Sequence, residues 1–534
     1  MRRSWRFAAL VLFVLALLTG ALMGERLLAL TDETRDSLKL YTELVTLAHE
    51  RYGTEISYKD LVYSSVNGML RTLDPHTAFL SPEAYEGMRE KQQTSFYGLG
   101  ILVGVRNGQL TVISPLEGTP ASRLGIQAGD VISTIETEPT DTMTLDEAVS
   151  KLKGPKGTQV KITIVRRGLP EPLALSVTRA EIPQTTVRQS YMITPDTGYL
   201  MITEFSRGTG REVKEALDKL KAQGMKHLLV DLRNNGGGLL DQAIEVSDQF
   251  LSGDTVIVET KGRVRDSVQS DKASGKNAPL EVPVVVLVNE GTASASEIVA
   301  GALQDHDRAL VVGTPSWGKG LVQTVYNLSY GSGLALTTAK YYTPSGRLIQ
   351  RDYTSYFDYY THSNTTKPED ETEQTAEAFA TDLGRKVFGG GGISPDVEVK
   401  DDELKPFEQF MLARNGYLNF AIDFGKRNKV PADWNPDPDQ LLAEFRQWVL
   451  QEKLADPADL EAALADPEVR VYSVLQIRAE GVNAVGGQEA RHRVLAAGDT
   501  QLQAALGLFD RAASMLAERR EAKPKLDRRE APKG

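Results

Sequence analysis

The 534-residue chain contains no cysteine. That excludes disulfides, a thiol nucleophile and thiolate metal sites. Its six histidines (His49, His76, His227, His306, His362, His492) are scattered and show no H-E-x-x-H spacing, so a zinc peptidase has no support. No G-x-S-x-G elbow occurs either. Positive charge is in deficit: the formal net charge is −11. A nucleic-acid partner, which wants a basic face, is therefore not expected. Hydrophobic residues make up 41% and charged residues 25%, ordinary values for a globular protein. The length exceeds one ordinary core and predicts three or four domains.

The N-terminus reads as an address. Arg2, Arg3 and Arg6 precede an apolar run over residues 7–24, a positive region followed by a hydrophobic one. As a helix the run would be roughly 27 Å long, borderline for a membrane span. Thr19-Gly20-Ala21 offers a weak cleavage site, so a cleaved signal and an uncleaved anchor are both open, with the anchor favoured. Either way the remainder is expected to be exported across the inner membrane, to a periplasmic or extracytoplasmic location.

The most informative stretch is 282–323. Val284–Val288 is a continuous apolar run, as for a strand buried on both faces. Asn289-Glu290-Gly291 breaks it, and helical spacing starts at Ser296, so Ser294 sits where a strand turns into a helix. Past the next strand comes Gly318-Lys319-Gly320, then Gln323. A serine hydroxyl needs a base to become a nucleophile. A lysine amine serves when burial keeps it neutral. Gln323 can hold that amine without adding negative charge. The helix N-terminus beside Ser294 supplies N–H groups for an oxyanion. A plainer account also fits: Ser294-Ala-Ser-Glu297 matches the capping box S-x-x-E, and Lys319 fits a solvated loop.

This block, TASASEIVAGALQDHDRALVVGTPSWGKGLVQT, resembles the active-site region of the carboxy-terminal processing peptidases, the tail-specific proteases of serine peptidase family S41. The resemblance extends over about residues 35–400. It implies a Ser294 nucleophile, a Lys319 base and Gln323 as its partner. Thr292 and Trp317 depart from commoner residues at non-catalytic positions. Arg233-Asn-Asn-Gly-Gly-Gly238 resembles the family's D-L-R-N-N-x-G-G, which places half of an oxyanion hole on the Gly238 N–H, with Gly237 as the neighbouring option, and the other half on the Ala295 N–H. No metal or organic cofactor is implied. Asp231 and Arg233 are read as braces of the turn, and His306 and Asp307 as lying at the helix end away from Ser294.

Tyr97-Gly98-Leu99-Gly100-Ile101 resembles the carboxylate-binding loop of a PDZ domain, whose N–H groups hold a peptide C-terminus while the next strand pairs with it. Pro120-Ala121, Gly125, Gly129-Asp130 and Ile132 continue that pattern, and Leu145–Leu152 reads as a short amphipathic helix. The implied fold is α/β and multidomain: a crotonase/ClpP-like ββα peptidase core with an inserted PDZ domain (a β-sandwich or partly open barrel), between helical terminal regions. The expected divisions are 1–30 for the signal or anchor and 31–94 for N-terminal helices. The PDZ domain takes 95–182. The peptidase core takes 183–400, with an insertion over about 350–390 read as a mobile flap. C-terminal helices occupy 401–522, and a charged disordered tail 523–534. Within 31–94, Asp74 and His76 look like a catalytic pair but read better as helix termination ahead of Pro75.

The resemblance implies a serine endopeptidase acting on proteins or peptides with apolar C-termini or unfolded segments. An adaptor or activator protein, a homo-oligomer and membrane attachment are further expectations. Two other classes compete: a non-catalytic PDZ scaffold, and a crotonase-like acyl-thioester enzyme. The intact Ser294, Lys319 and Gln323 set counts against the first, and the PDZ domain with its export signal against the second.

Overall fold

The computed structural model describes residues 32–93, 95–106, 108–116, 118–352 and 377–530. The expected signal or anchor segment lies outside them. Among the described residues no helix is long and apolar enough to cross a membrane. The chain divides into two compact units, one of residues 1–85 with 324–336, the other of 86–323 with 337–534.

The first unit holds the helices Asp32–Arg51 and Tyr58–Leu70. Ser57 caps the second by accepting from the Asp60 N–H at 3.0 Å. A short strand, Ala78–Leu80, pairs antiparallel with residues 333–335. The mixed three-and-four spacing in the first helix does make a helix, but Leu38, Leu40, Leu44 and Leu47 stay exposed. Asp74 takes the loop role: its carboxylate accepts from the N–H groups of His76 and Thr77, both at 2.8 Å.

In the second unit, a six-stranded antiparallel PDZ sheet has the order 101–106, 109–115, 131–135, 159–165 and 173–178, with the short strand 138–139 pairing on 131–135. Strand Ser95–Gly98 pairs separately with Ala180–Pro183. Helix Leu145–Leu152 forms as the pattern predicts, with a capping box: the Glu147 N–H donates to Thr144 Oγ1, and the Thr144 N–H to the Glu147 carboxylate. Asp130 is buried and takes a bidentate Arg166, both contacts at 2.7 Å.

The peptidase core is a six-stranded sheet whose order follows the chain: 187–192, 197–202, 227–231, 284–288, 310–313, 397–398. Only the first pair is antiparallel. Parallel neighbours need crossovers, and the helices Thr209–Ala222, Leu240–Ser247 and Ala295–Asp305 lie in the first three of the four. All three pack on one sheet face, where Val213, Leu217, Val246, Val299 and Leu303 meet Leu200, Val230, Val286 and Val311. A parallel sheet is stable when both faces are covered. The second face, with Tyr199, Leu229, Val285, Leu287 and Val312, is covered by the C-terminal segment through Leu502, Ala505, Phe509, Ala512 and Met515.

The rest of the C-terminal region has its own core, where Tyr417, Phe420, Phe445 and Trp448 pack together. Its helices start repeatedly on an Asp N-cap followed by proline, at Asp437-Pro438, Asp456-Pro457 and Asp466-Pro467.

Two expectations need correction. The composition predicts a disordered tail over 523–534, but helix Phe509–Glu530 runs through 523–530, in keeping with its helix-forming Glu, Arg, Lys and Leu content, and residues 531–534 lie outside the described ones. The insertion is not a free flap in its second half. Residues 378–380 and 386–388 form a hairpin pinned to the core by Arg385, which pairs with Asp307 at 2.5 Å and with Asp396. Residues 353–376 of the insertion lie outside the described ones.

Phe509 is 6% exposed and its ring lies 4.9 Å from that of His227. Replacing Phe509 by Ala removes a large side chain from the sheet cover and is expected to cost about 3 kcal/mol. Chemical denaturation checks this; a loss under about 1 kcal/mol would show that the C-terminal segment does not cap this face.

Candidate active site

Strand Val284–Val288 is buried throughout, and its end sets the site. The chain leaves it through Asn289-Glu290-Gly291 and enters helix Ala295–Asp305 at Ser294. Ser294 has φ 57° and ψ −116°. For a residue with a side chain such a backbone costs on the order of 1–3 kcal/mol and persists only where its surroundings hold it. Several bonds do so. The Ala293 N–H donates to the Asn235 carbonyl at 2.9 Å, and the Ser296 hydroxyl to the same oxygen at 2.9 Å. Thr292 Oγ1 donates to the Leu232 carbonyl at 2.8 Å. The nucleophile turn and the glycine turn are thus stapled together.

The glycines are needed sterically. A Cβ on Gly237 would stand 2.7 Å from Ser294 Cβ and 2.8 Å from the Ala295 nitrogen, and Gly237 itself has φ 93°. A Cβ on Gly238 would stand 2.0 Å from the Phe205 carbonyl oxygen. The Gly237 N–H is taken by the Asn235 side chain at 2.9 Å. Gly238, by contrast, is exposed. Of the two options for an oxyanion donor, the geometry favours Gly238, with Ala295 at the first turn of the helix as its counterpart.

Lys319 approaches along the loop after strand Leu310–Gly313. Its amine donates to Gln323 Oε1 at 3.1 Å. What joins it to Ser294 is Glu297, which is completely buried. One carboxylate oxygen accepts the N–H groups of Ser294, at 2.7 Å, and of Lys319, at 2.9 Å. The other accepts from the Ser316 hydroxyl at 2.5 Å and the Gly318 N–H at 2.7 Å. Burial pushes the Glu297 carboxyl upward, while these four donors pull it back toward the ionised form. From the opposite side, the hydroxyl of buried Tyr341 lies between the carbonyl oxygens of Ser294, at 3.1 Å, and Lys319.

The model of peptidase family S41 matches residues 196–355, and that of the PDZ domain residues 111–166. The carboxy-terminal-processing protease of Bartonella bacilliformis is 41% identical over 323 residues, 60% of this chain and 74% of its own. The chain belongs to peptidase family S41. The carboxy-terminal processing protease CtpA of Bacillus subtilis is 33% identical over 432 residues, covering 79% of this chain and 88% of its own. A solved photosystem II D1 C-terminal processing protease is similar over 68% of this chain and 92% of its own, with 28% identity and a TM-score of 0.36. The chain is thus an S41 serine peptidase with a PDZ domain.

The other sequence candidates fall where their spacing suggests. His306 and Asp307 follow the far end of helix Ala295–Asp305 and bond to Asp382 and Arg385 of the inserted hairpin. Arg233 pairs with Asp231 at 2.7 Å and braces the turn. In the PDZ loop, Tyr97 and Gly98 end one strand and Ile101 begins another. Leu99 is buried, and Gly100, at φ 78°, packs so closely that a Cβ would lie 2.2 Å from Thr119. Strand Ile101–Arg106 is the edge of its sheet and packs beside helix Leu145–Leu152.

Glu297 and Tyr341 are the residues at this site that sequence reading passed over. The signal for Glu297 was present as the E of S-x-x-E, but capping explains only its bond to the Ser294 N–H. The Ser294 hydroxyl makes no side-chain capping bond to the helix. The glutamate instead serves two loops. Glu297→Gln would leave N–H donors facing an NH2 group. Loss of buried hydrogen bonds then predicts roughly 2–4 kcal/mol lower stability. It also predicts about a tenfold or greater fall in kcat. Thermal unfolding and steady-state cleavage check both, and unchanged kcat in a folded variant would remove Glu297 from the site.

Proposed function

We propose that this peptidase is an exported endopeptidase that cleaves proteins presented by their C-terminal tails or by unfolded segments, with Ser294 and Lys319 as its dyad. Lys319, neutral in the half-buried site, takes the Ser294 proton as the hydroxyl attacks the peptide carbonyl. The N–H groups of Gly238 and Ala295 stabilise the oxyanion. The proton passes to the leaving amine, and water then hydrolyses the acyl-enzyme. Gln323 presents its carbonyl oxygen to the Lys319 amine, which orients the lone pair toward Ser294 without adding a charge that would hold the lysine protonated. The observation that carries this reading is the shared carboxylate of Glu297, which binds the backbones of Ser294 and Lys319 at one oxygen.

The PDZ domain would hold the tail. Its edge strand Ile101–Arg106 can add a peptide strand, the helix Leu145–Leu152 bounds the groove, and the 97–101 loop faces the terminal carboxylate. Apolar side chains suit a groove beside Ile101 and Val103, which pack on the PDZ core. Export follows from the arginines and apolar run of residues 2–24, with the uncleaved anchor as the favoured form.

The test compares the parent enzyme with Ser294→Ala and Lys319→Ala on an unfolded protein bearing an apolar C-terminus, from neutral to basic pH. Both variants are expected to lose cleavage by at least about a thousandfold. The parent rate should rise through a single neutral-to-basic ionisation, as the lysine loses its proton. Cleavage surviving in both variants would sink the dyad.

A further inference from the structure

The peptidase family match ends at residue 355, yet a side chain far beyond it reaches the glycine turn. We propose that Asp499, from the C-terminal region, is a positioning residue for the oxyanion turn and acts through Arg233. This rests on reading Gly238 and Ala295 as the oxyanion donors.

Arg233 lies on the corner between strand His227–Asp231 and the glycines. Its guanidinium is a fork with a carboxylate on each side. Toward the strand it holds Asp231, with 2.7 Å from Nη2 and 3.1 Å from Nε. Toward the C-terminal region it holds Asp499, with 2.9 Å from Nη1 and 2.7 Å from Nη2. Nη1 also donates to Gln501 Oε1 at 3.1 Å. Gln501 is fully buried and anchored through Nε2 to the Val399 carbonyl at 2.9 Å. Only 11% of the Arg233 side chain is exposed, and 23% of Asp499. Bidentate arginine–carboxylate pairs fix orientation as well as supplying energy. Here two of them hold one guanidinium between the catalytic sheet and the segment that covers it.

The corner leads directly into the site. The Asp231 carboxylate also accepts the Arg233 N–H at 3.0 Å and the Tyr199 hydroxyl at 2.7 Å, so its position follows the fork. Next in the chain, Asn234 has φ 57° and donates its N–H to Asn289 Oδ1 at 2.8 Å. Asn235 then orients Gly237 and holds Ala293. Without Asp499 the guanidinium keeps its burial but loses one of its two carboxylates. Such a group shifts toward water. A shift of the corner carries the Gly238 N–H away from the point where the oxyanion forms. Displacing an oxyanion donor weakens transition-state binding while leaving substrate binding through the PDZ groove alone.

Asp499 has a second task that the test must set aside: its Oδ1 caps helix Thr500–Leu506 through the Leu502 N–H at 2.9 Å. Serine keeps an N-cap but is too short to reach Arg233. Asp499→Ser is therefore expected to melt within a few degrees of the parent. Its kcat should fall by about tenfold, with KM within about twofold and the pH midpoint of the rate unchanged. Affinity for a peptide aldehyde, whose serine adduct carries an oxyanion, should fall by a similar factor. Asp499→Asn keeps the cap through Oδ1 but turns an NH2 group toward Arg233 Nη2, so its kcat and aldehyde affinity should fall together, by less than in Asp499→Ser.

Unchanged kcat and aldehyde affinity in folded Asp499→Ser would overturn the proposal. So would a kcat loss that matches only a loss of folded protein. If Asp499→Ser fails to fold, Asp499→Asn decides: a kcat and aldehyde affinity reduced together, in folded enzyme, support the role, and parent values overturn it. Ser294→Ala, run alongside, separates the two readings. Its retained activity would remove the dyad whatever Asp499 does.

Discussion

The buried carboxylate of Glu297 is the constraint around which the catalytic segment is arranged. An ionised carboxylate without partners would be too costly to bury. Four donors converge on this one, three of them backbone N–H groups from two separate loops. At 2.5–2.9 Å these are well-formed hydrogen bonds. Because both Ser294 and Lys319 donate to the same oxygen, neither loop can shift without breaking the other's bond. Tyr341 closes the opposite side by placing its hydroxyl at the carbonyls of the same two residues. Ser294 and Lys319 are thereby fixed through their main chains.

That fixation also explains how Ser294 keeps a strained backbone. The turn before the helix is bonded to the glycine turn at Ala293, Ser296 and Thr292. Gly237 packs against Ser294 with no room for a side chain. The strain therefore cannot relax locally. Its effect is to set the serine at the N-terminus of a helix, where N–H groups and the helix dipole suit a developing negative charge.

The sheet supplies the frame, and its two faces do different work. One face packs the three crossover helices, helix Ala295–Asp305 among them. The other is sealed by the last two helices of the chain. The C-terminal region is thus part of the peptidase core rather than an appendage, and its Asp499 and Gln501 meet the catalytic turn at Arg233. The inserted hairpin likewise binds the far end of helix Ala295–Asp305 through Asp382 and Arg385. Both ends of that helix are held by segments distant in sequence.

Local pattern was enough for the elements that carry local signals. The apolar run Val284–Val288, the amphipathic helix Leu145–Leu152 and the glycine-rich turn at Gly236–Gly238 could be read directly, because each reflects periodicity or backbone freedom within a few residues. Ser294, Lys319 and Gly238 stand at breaks between regular elements and Gln323 within strand Leu321–Asn327, and their roles as candidates came chiefly from the resemblance to the family. What could not be read was pairing between distant parts. Glu297 looked like a helix cap, since its partners at Ser316, Gly318 and Lys319 adjoin it only once the sheet has formed. The charged end of the chain looked disordered, because composition cannot show that a helix continues from a docked segment. Nor does spacing show that Arg233 would find its second carboxylate 266 residues further on. Sequence carries periodicity and propensity, which act over one or two turns. Which buried charge meets which donor is settled by packing, and packing exists only in the folded chain.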